Sequence, residues 1–290
     1  SCCCSSMEIT LLNMNGALNA ADFNGKILIP SFGLLLPDET VEYIPKGVFI
    51  VTESTKKNDR LLTIKASDRM SLFDVPYISA IIFPCTLLEL LQDICSTIGV
   101  TLANTDFPNA GYIIGKDFKI ETTCRNMLSY IAQVTGCFAR FNMDGALELK
   151  WYSTAPVSVT ADNYISLELA EHTISAIDKL TVKTEENDLG LSYGTGTNEY
   201  SIINNPLLYG LTSAAEIIWQ PVLQAILNNI GSLSYKPYKM PVQGNPSIMA
   251  GDIITVTTLK NETLNIPVMS HTLSYSGGLR DELSATGSAP

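Results

Sequence analysis

The chain has 290 residues, 46% of them apolar and 16% charged, and its 18 Lys and Arg against 29 Asp and Glu leave a formal charge of −11. That length exceeds one ordinary compact core and predicts two or three domains, while a charge content below the usual quarter leaves apolar surface for contacts with other subunits. The acid excess excludes a surface that reads duplex nucleic acid, which needs a basic face.

From residue 7 to residue 73 the pattern is one of short strands, at 7–12, 26–30, 41–43, 47–52 and 60–66. Asn15-Gly16, Asn24-Gly25, Pro37-Asp38 and the stretch 57–59 separate them. Turn signals at this spacing, without a helical period, predict an antiparallel sheet or small barrel. The period then changes. Thr86-Leu87-Leu88-Glu89 is a capping box, followed by Leu87, Leu90, Leu91, Ile94 and Ile98 at helical spacing and by Gly99 as the stop. A short strand is expected over 100–102. The plan recurs with Thr122 or Thr123 opening a helix, Met127, Leu128, Ile131 and Val134 as its apolar stripe and Gly136 ending it.

Residues 137–152, CFARFNMDGALELKWY, alternate apolar and polar on both sides of Met143-Asp144-Gly145. Asp-Gly between two alternating runs predicts a hairpin with a primed turn, both central residues at positive φ. Its apolar positions Phe141, Leu147, Leu149 and Trp151 are expected to pack on the helix before it. Ser153-Thr154-Ala155-Pro156 reads as a linker. Beyond it, strands are expected at 175–183 and 190–193. Ser213-Ala214-Ala215-Glu216 reads as a capping box that opens a helix to residue 230, kinked or split at Pro221. Strands return at 252–258, 263–270 and 272–275.

Chemistry is sparse in these residues. His172 and His271 stand about a hundred positions apart, too few and too distant for a histidine metal site. Gly194-Thr195-Gly196 is a polar turn rather than a nucleotide loop. Cys85, Cys95, Cys124 and Cys137 lie among apolar residues, as small buried hydrophobes do. Cys2, Cys3 and Cys4 form a run at the start, and no CxxC pair occurs. Nine acids fall within 162–216 against only Lys179 and Lys183, and Glu185, Glu186 and Asp188 crowd one turn-like stretch. Paired carboxylates suit glycoside cleavage, but these lack flanking aromatics to stack a sugar or raise a pKa and read as a solvated loop. No metal or cofactor is expected. No run of 18 apolar residues predicts a membrane span, and no secretory signal precedes Met7, so synthesis in the cytoplasm is expected. The sequence opens on Ser1 inside a strand-like segment, which raises the expectation of a longer parent chain.

Several segments resemble one family. Asp22-Phe23-Asn24-Gly25-Lys26, Glu42-Tyr43-Ile44-Pro45-Lys46-Gly47-Val48-Phe49 and Ala66-Ser67-Asp68-Arg69-Met70 resemble the first domain of hub proteins at the distal end of bacteriophage tails. The stretches 86–99 and 126–136, with Phe138-Ala139-Arg140-Phe141 and Asp144-Gly145, resemble their middle region. Gly244-Asn245-Pro246, Ala250-Gly251-Asp252-Ile253-Ile254 and the glycine-rich 275–278 resemble their last barrel. The order and spacing hold over about 280 residues.

The resemblance to this tail-associated, baseplate-hub family implies an α+β fold that is predominantly antiparallel β. Two tube-type β-barrel domains, at 1–76 and 156–290, would flank a small α+β module at 77–155, with a helix near 213–230. It implies a homotrimer whose barrels ring a DNA channel in a phage or prophage tail tip, in contact with distal tail and tape-measure proteins and without sequence-specific binding of DNA. The acids Glu185, Glu186 and Asp188 would then face the lumen or a subunit boundary. Members often carry a strand before the position of Ser6 and an enzymatic or receptor-binding extension after the hub, so the first barrel here is expected to be incomplete. Two other readings stay open at this point: a tail-delivered peptidoglycan-degrading glycosidase or peptidase, and a carbohydrate-binding adhesin, for which Trp151 and Trp219 are few aromatics.

Overall fold

The computed structural model describes residues 2–58, 60–78, 81–115, 121–212 and 214–288. Its first part comprises β1 (Ser6–Leu12), β2 (Ile27–Leu28), β3 (Ser31–Leu35), β4 (Val41–Pro45), β5 (Phe49–Asn58) and β6 (Leu61–Asp68). Four of these make an antiparallel sheet in the order β1-β6-β5-β2. Leu62, Ile64 and Ala66 alternate along β6 at the strand period and bury with Phe49 and Val51 as a small core. The expected first barrel is therefore an open sheet, with β1 and β2 as its two terminal strands. Strand β3, which the turn spacing did not reveal, pairs among the described residues only with β4. The resulting arm leaves Leu34, Leu35, Val41 and Tyr43 exposed.

A short 3-10 turn, Arg69–Phe73, leads through β7 (Cys85–Thr86) to helix α1 (Leu87–Ile98), then β8 (Ile113–Ile114), helix α2 (Cys124–Thr135), β9 (Phe138–Phe141) and β10 (Leu147–Lys150). Both helices start as expected. The Thr86 hydroxyl accepts from the Glu89 N–H at 3.1 Å while the Thr86 N–H donates to the Glu89 carboxylate at 2.7 Å, and Thr123 caps α2 through the Asn126 N–H at 3.2 Å. They end at Gly99 and Gly136 in the left-handed conformation.

Two local expectations change. Residues 100–102 form a single parallel bridge from Leu102 to Leu147 rather than a strand, since only the Thr101 carbonyl and the Ala103 N–H reach Leu147. The β9–β10 hairpin is present, but Gly145 alone of its turn residues has positive φ. The Asn142 side chain accepts from the N–H groups of Asp144 and Ala146, and Gly145 N–H bonds to Asn142 O, so a three-residue loop closes the hairpin in place of a primed turn. Phe141, Leu147 and Leu149 bury in the same core as α2, as expected, and Trp151 packs against it half-buried.

The remainder comprises β11 (Ser153–Val159), β12 (Glu168–Leu169), β13 (Lys179–Lys183), β14 (Leu191–Gly194), β15 (Glu199–Ile203), helix α3 (Glu216–Ile230), β16 (Tyr238–Gln243), β17 (Asp252–Thr257), β18 (Thr263–Pro267), β19 (Ser270–Tyr275) and β20 (Leu279–Ala285). The segment read as a linker is strand β11, which runs parallel to β17. Its register shifts between Thr154 and Ser158, so Pro156, which has no N–H to give, sits where the ladder is interrupted.

Sheets β11-β17-β18 and β12-β16-β20-β19 enclose one core built on Met240, Ile254, Val256 and Leu283. The third sheet, β14-β13-β15, and α3 join the middle core instead, where Leu180, Val182, Leu223 and Ile226 meet Leu128 and Ile131. Helix α3 continues through Pro221 without dividing, anchored beyond it by buried Val222, Leu223, Ile226 and Ile230. It starts at Glu216 with Ala215 at the cap and no side-chain cap bond. Ser213, on which the expected box depended, lies outside the described residues. Cys85, Cys95, Cys124 and Cys137 are free and buried, and burial pushes the Cys95 thiol up to about 12.

Leu90 lies fully buried in the middle core. Leu90→Ala should lower unfolding free energy by about 2–5 kcal/mol, and Thr86→Ala, which removes the cap, by about 1 kcal/mol. Urea denaturation of both variants against the parent measures the two effects, and equal losses would contradict the difference in burial.

Candidate functional site

The three carboxylates singled out in the sequence share one exposed turn between β13 and β14. The Thr184 hydroxyl and the Glu185 N–H donate to the Asp188 carboxylate, and the Asp188 N–H returns a bond to Glu185 O at 3.2 Å. The Thr184 hydroxyl thereby holds the Asp188 carboxyl below its usual range. That direction opposes the raised pKa a general acid needs. Glu186 projects beside them, and Leu189 next in the chain is 97% exposed. Among the described residues no group of three or more His, Cys, Asp or Glu side chains is placed to hold a metal ion.

A different region gathers chemistry from distant parts of the chain. A cleft of about 1340 Å³ is lined by β1, by the start of β3, by the α2–β9 junction, by Trp151 and Tyr152, by the 248–251 loop and by β19. Phe138, Trp151 and Tyr152 form an aromatic cluster in its wall, with ring centroids 5.2–6.3 Å apart. Among the described residues the buried Trp151 indole N–H has no hydrogen-bond partner. Burial raises the Tyr152 hydroxyl to about 12, so it stays a neutral donor and acceptor.

One rim of the cleft is a clasp of charges around the 245–252 loop. Asp281 accepts from the Asn245 N–H at 2.7 Å, Asp252 accepts from the Met249 N–H at 2.9 Å, and the Lys46 ammonium donates to Pro246 O at 2.7 Å. From the hairpin, Arg140 donates to Ala250 O and pairs with Glu148 at 2.5 Å, while Lys150 pairs with Asp252 at 3.1 Å. Burial pushes Lys46 below its ordinary pKa, partly offset by the charges of Asp281 and Asp252. His271 Nε2 approaches Asp281 Oδ1 to 3.0 Å, an ion-pair distance that lacks hydrogen-bond alignment. Gly251 is fixed by sterics, since a Cβ there would lie 2.7 Å from the Phe138 ring.

Lys46, Asp252, Asp281 and Trp151 were not singled out as a site in sequence, because their partners lie up to 200 residues away. Gly251-Asp252 and Tyr43-Ile44-Pro45-Lys46 did stand out as segments of the family resemblance. Exposed apolar side chains collect elsewhere, on the β3–β4 arm and at the start of α3, where Ile217 is 83% exposed.

No protein-family model and no curated protein matches this chain. Solved structures do. The 43 kDa tail protein of prophage MuSo2 from Shewanella oneidensis matches over 97% of this chain and 87% of its own, with TM-score 0.55 and 15% identity. The tail protein from Neisseria meningitidis MC58 matches over the same shares with TM-score 0.57 and 13% identity. A prophage tail protein from Listeria monocytogenes EGD-e matches over 98% of this chain and 87% of its own, with TM-score 0.52 and 12% identity. The chain shares the fold of these phage-tail proteins along nearly its whole length, as the family resemblance in the sequence implied.

The clasp predicts a coupling. Arg140 and Glu148 side chains are 10% and 20% exposed, so Arg140→Ala leaves a largely buried carboxylate unpaired and should cost about 3 kcal/mol. The Arg140→Ala/Glu148→Ala double variant should lose less than the sum of the two single variants in denaturant unfolding, and strict additivity would show the pair uncoupled.

Proposed function

We propose that the chain is a structural, non-enzymatic component of a phage or prophage tail tip, a baseplate hub protein that assembles as a homotrimeric ring around the DNA channel and joins tail tube to tip. The observation that carries this reading is the fold shared with prophage tail proteins over 97% of the chain. Its neighbours would be the distal tail and tape-measure proteins, and its place the virion tail tip after synthesis in the host cytoplasm. The units 1–76 and 156–290 supply the ring's tube-type barrels and 77–155 the spacer between them, with the 179–230 part of the last unit packed on that spacer.

The surfaces are of the kind such a ring needs. The open β1-β6-β5-β2 sheet ends at β2 in an edge that a neighbouring subunit can extend toward a barrel. The β3–β4 arm carries apolar side chains that water covers poorly and a neighbouring subunit covers well. A head-to-tail contact of this sort closes into a ring when its rotation divides a full turn. In this reading Glu185, Glu186 and Asp188 face the lumen or a subunit boundary. An acidic lumen repels phosphate and lets DNA slide without adhering.

Sedimentation across a range of concentrations, with electron micrographs, should show a mass three times that of the chain and threefold rings; a monomer at every concentration, without rings, counts against the hub. In a phage carrying Glu185→Lys, Glu186→Lys and Asp188→Lys together, rings should form while DNA ejection falls. Unchanged infectivity would remove the acids from the lumen.

A further inference from the structure

The cleft beside β1 has a wall of unpaired backbone. β1 is a terminal strand of its sheet and β19 a terminal strand of another, and both line this cleft. The register of β1 fixes which of its groups are free. Asp68 N–H bonds to Ser5 O at 2.9 Å and Asn13 N–H to Arg60 O at 2.6 Å, so the odd-numbered residues of β1 exchange the ladder bonds with β6. The N–H and C=O groups of Ser6, Glu8 and Thr10 therefore point off the edge toward the cleft. Edges of this length are ordinarily blunted by charged side chains, Lys above all, by Pro or by a bulge; β1, Ser6–Leu12, carries one charge, Glu8, with no Lys or Pro, and pairs without a register shift.

We propose that this cleft accepts an extended polypeptide segment of a separate protein, added as a strand to the free edge of β1. Four features define the occupant. The unpaired backbone of β1 matches another backbone, over about 23 Å of strand. The wall of Phe138, Trp151 and Tyr152 takes apolar side chains at alternate positions. The volume of about 1340 Å³ exceeds the roughly 300–1,000 Å³ of small-molecule sites.

Charge supplies the fourth feature. Among the described residues lining the cleft, Lys46, Arg140 and His271 are occupied by Pro246 O, Glu148 and Asp281. Glu8 lies across from Lys65, whose salt bridge is with Glu53 at 3.0 Å, so among the described residues the Glu8 carboxylate has no cation at salt-bridge distance and feels Lys65 only as a neighbouring charge. The segment therefore carries a Lys or Arg beside Glu8. β1 of a second copy, SMEITLL, has no Lys or Arg to set beside Glu8, so the segment is not a second β1. The proposal does not depend on the ring and is tested on the chain without it.

The probe is a capped octapeptide alternating Val and Lys, with two controls: a Val and Glu version, and the Val and Lys peptide N-methylated at alternate residues. The first should saturate a change in Trp151 fluorescence and slow exchange of the Glu8 and Thr10 amides about ten-fold or more; the controls should bind at least about ten-fold more weakly. Glu8→Pro removes an N–H that the β6 ladder does not use and should abolish binding with Tm retained, while Glu8→Gln should lose only the preference for Lys. If Glu8→Pro fails to fold, Thr10→Pro makes the same test. The proposal is overturned if no peptide protects these amides at millimolar concentration, if the N-methylated peptide binds equally well, or if the amides become protected with protein concentration alone, which would identify a second copy as the occupant.

Discussion

Two carboxylates, Asp252 and Asp281, govern how the parts of this chain meet. Each accepts a backbone N–H from the 245–252 loop, and each faces a cation or imidazole brought by another element: Lys150 of the hairpin for Asp252, His271 of β19 for Asp281. Lys46, just past the β3–β4 arm, and Arg140, in the middle part of the chain, close on the carbonyls of the same loop. A buried charge is tolerated only when paired and hydrogen-bonded, so these groups demand one relative placement of three cores. Apolar contact alone would accept several.

The parts of the fold that were legible in the sequence are those whose causes are local. Helices α1 and α2 announced themselves through Thr86, Glu89 and Thr123, through apolar residues at helical spacing and through a terminal glycine, all within a dozen or so positions. The β9–β10 hairpin followed from alternation around Asp144-Gly145, though its turn depends on Asn142, whose side chain substitutes for backbone bonds that a primed turn would make. Where the cause lies far along the chain, the reading failed. Pro156 looked like a linker because its strand is paired by β17, about a hundred residues on. β20 was hidden since Asp281 occupies a core-facing position that a Leu or Val would have marked.

The site follows the same rule. The exposure of Glu185, Glu186 and Asp188 could be inferred from their polar neighbours. The cleft could not, because its wall is assembled from β1, the α2–β9 junction, the 248–251 loop and β19. The features that distinguish it, a strand edge without Lys, Pro or a bulge and an indole N–H without a partner among the described residues, are properties of three-dimensional neighbours. The resemblance to tail hub proteins captured the architecture from segments such as Gly251-Asp252 without revealing that these segments form the clasp.

The parallel pairing of β11 with β17 reaches beyond the folded state. Ser153 pairs with Asp252, so the last core cannot close until about a hundred further residues have been made, some 5–20 s at about 5–20 residues per second. The middle core waits as well, since α3 ends at Ile230 and contributes Leu223 and Ile226 to it. Most of the chain therefore leaves the ribosome before either large core is complete, and contacts this distant slow folding. A protein so arranged offers its apolar strands to the cell for many seconds at a time, which makes its yield during synthesis a matter of timing and protection as much as of final stability.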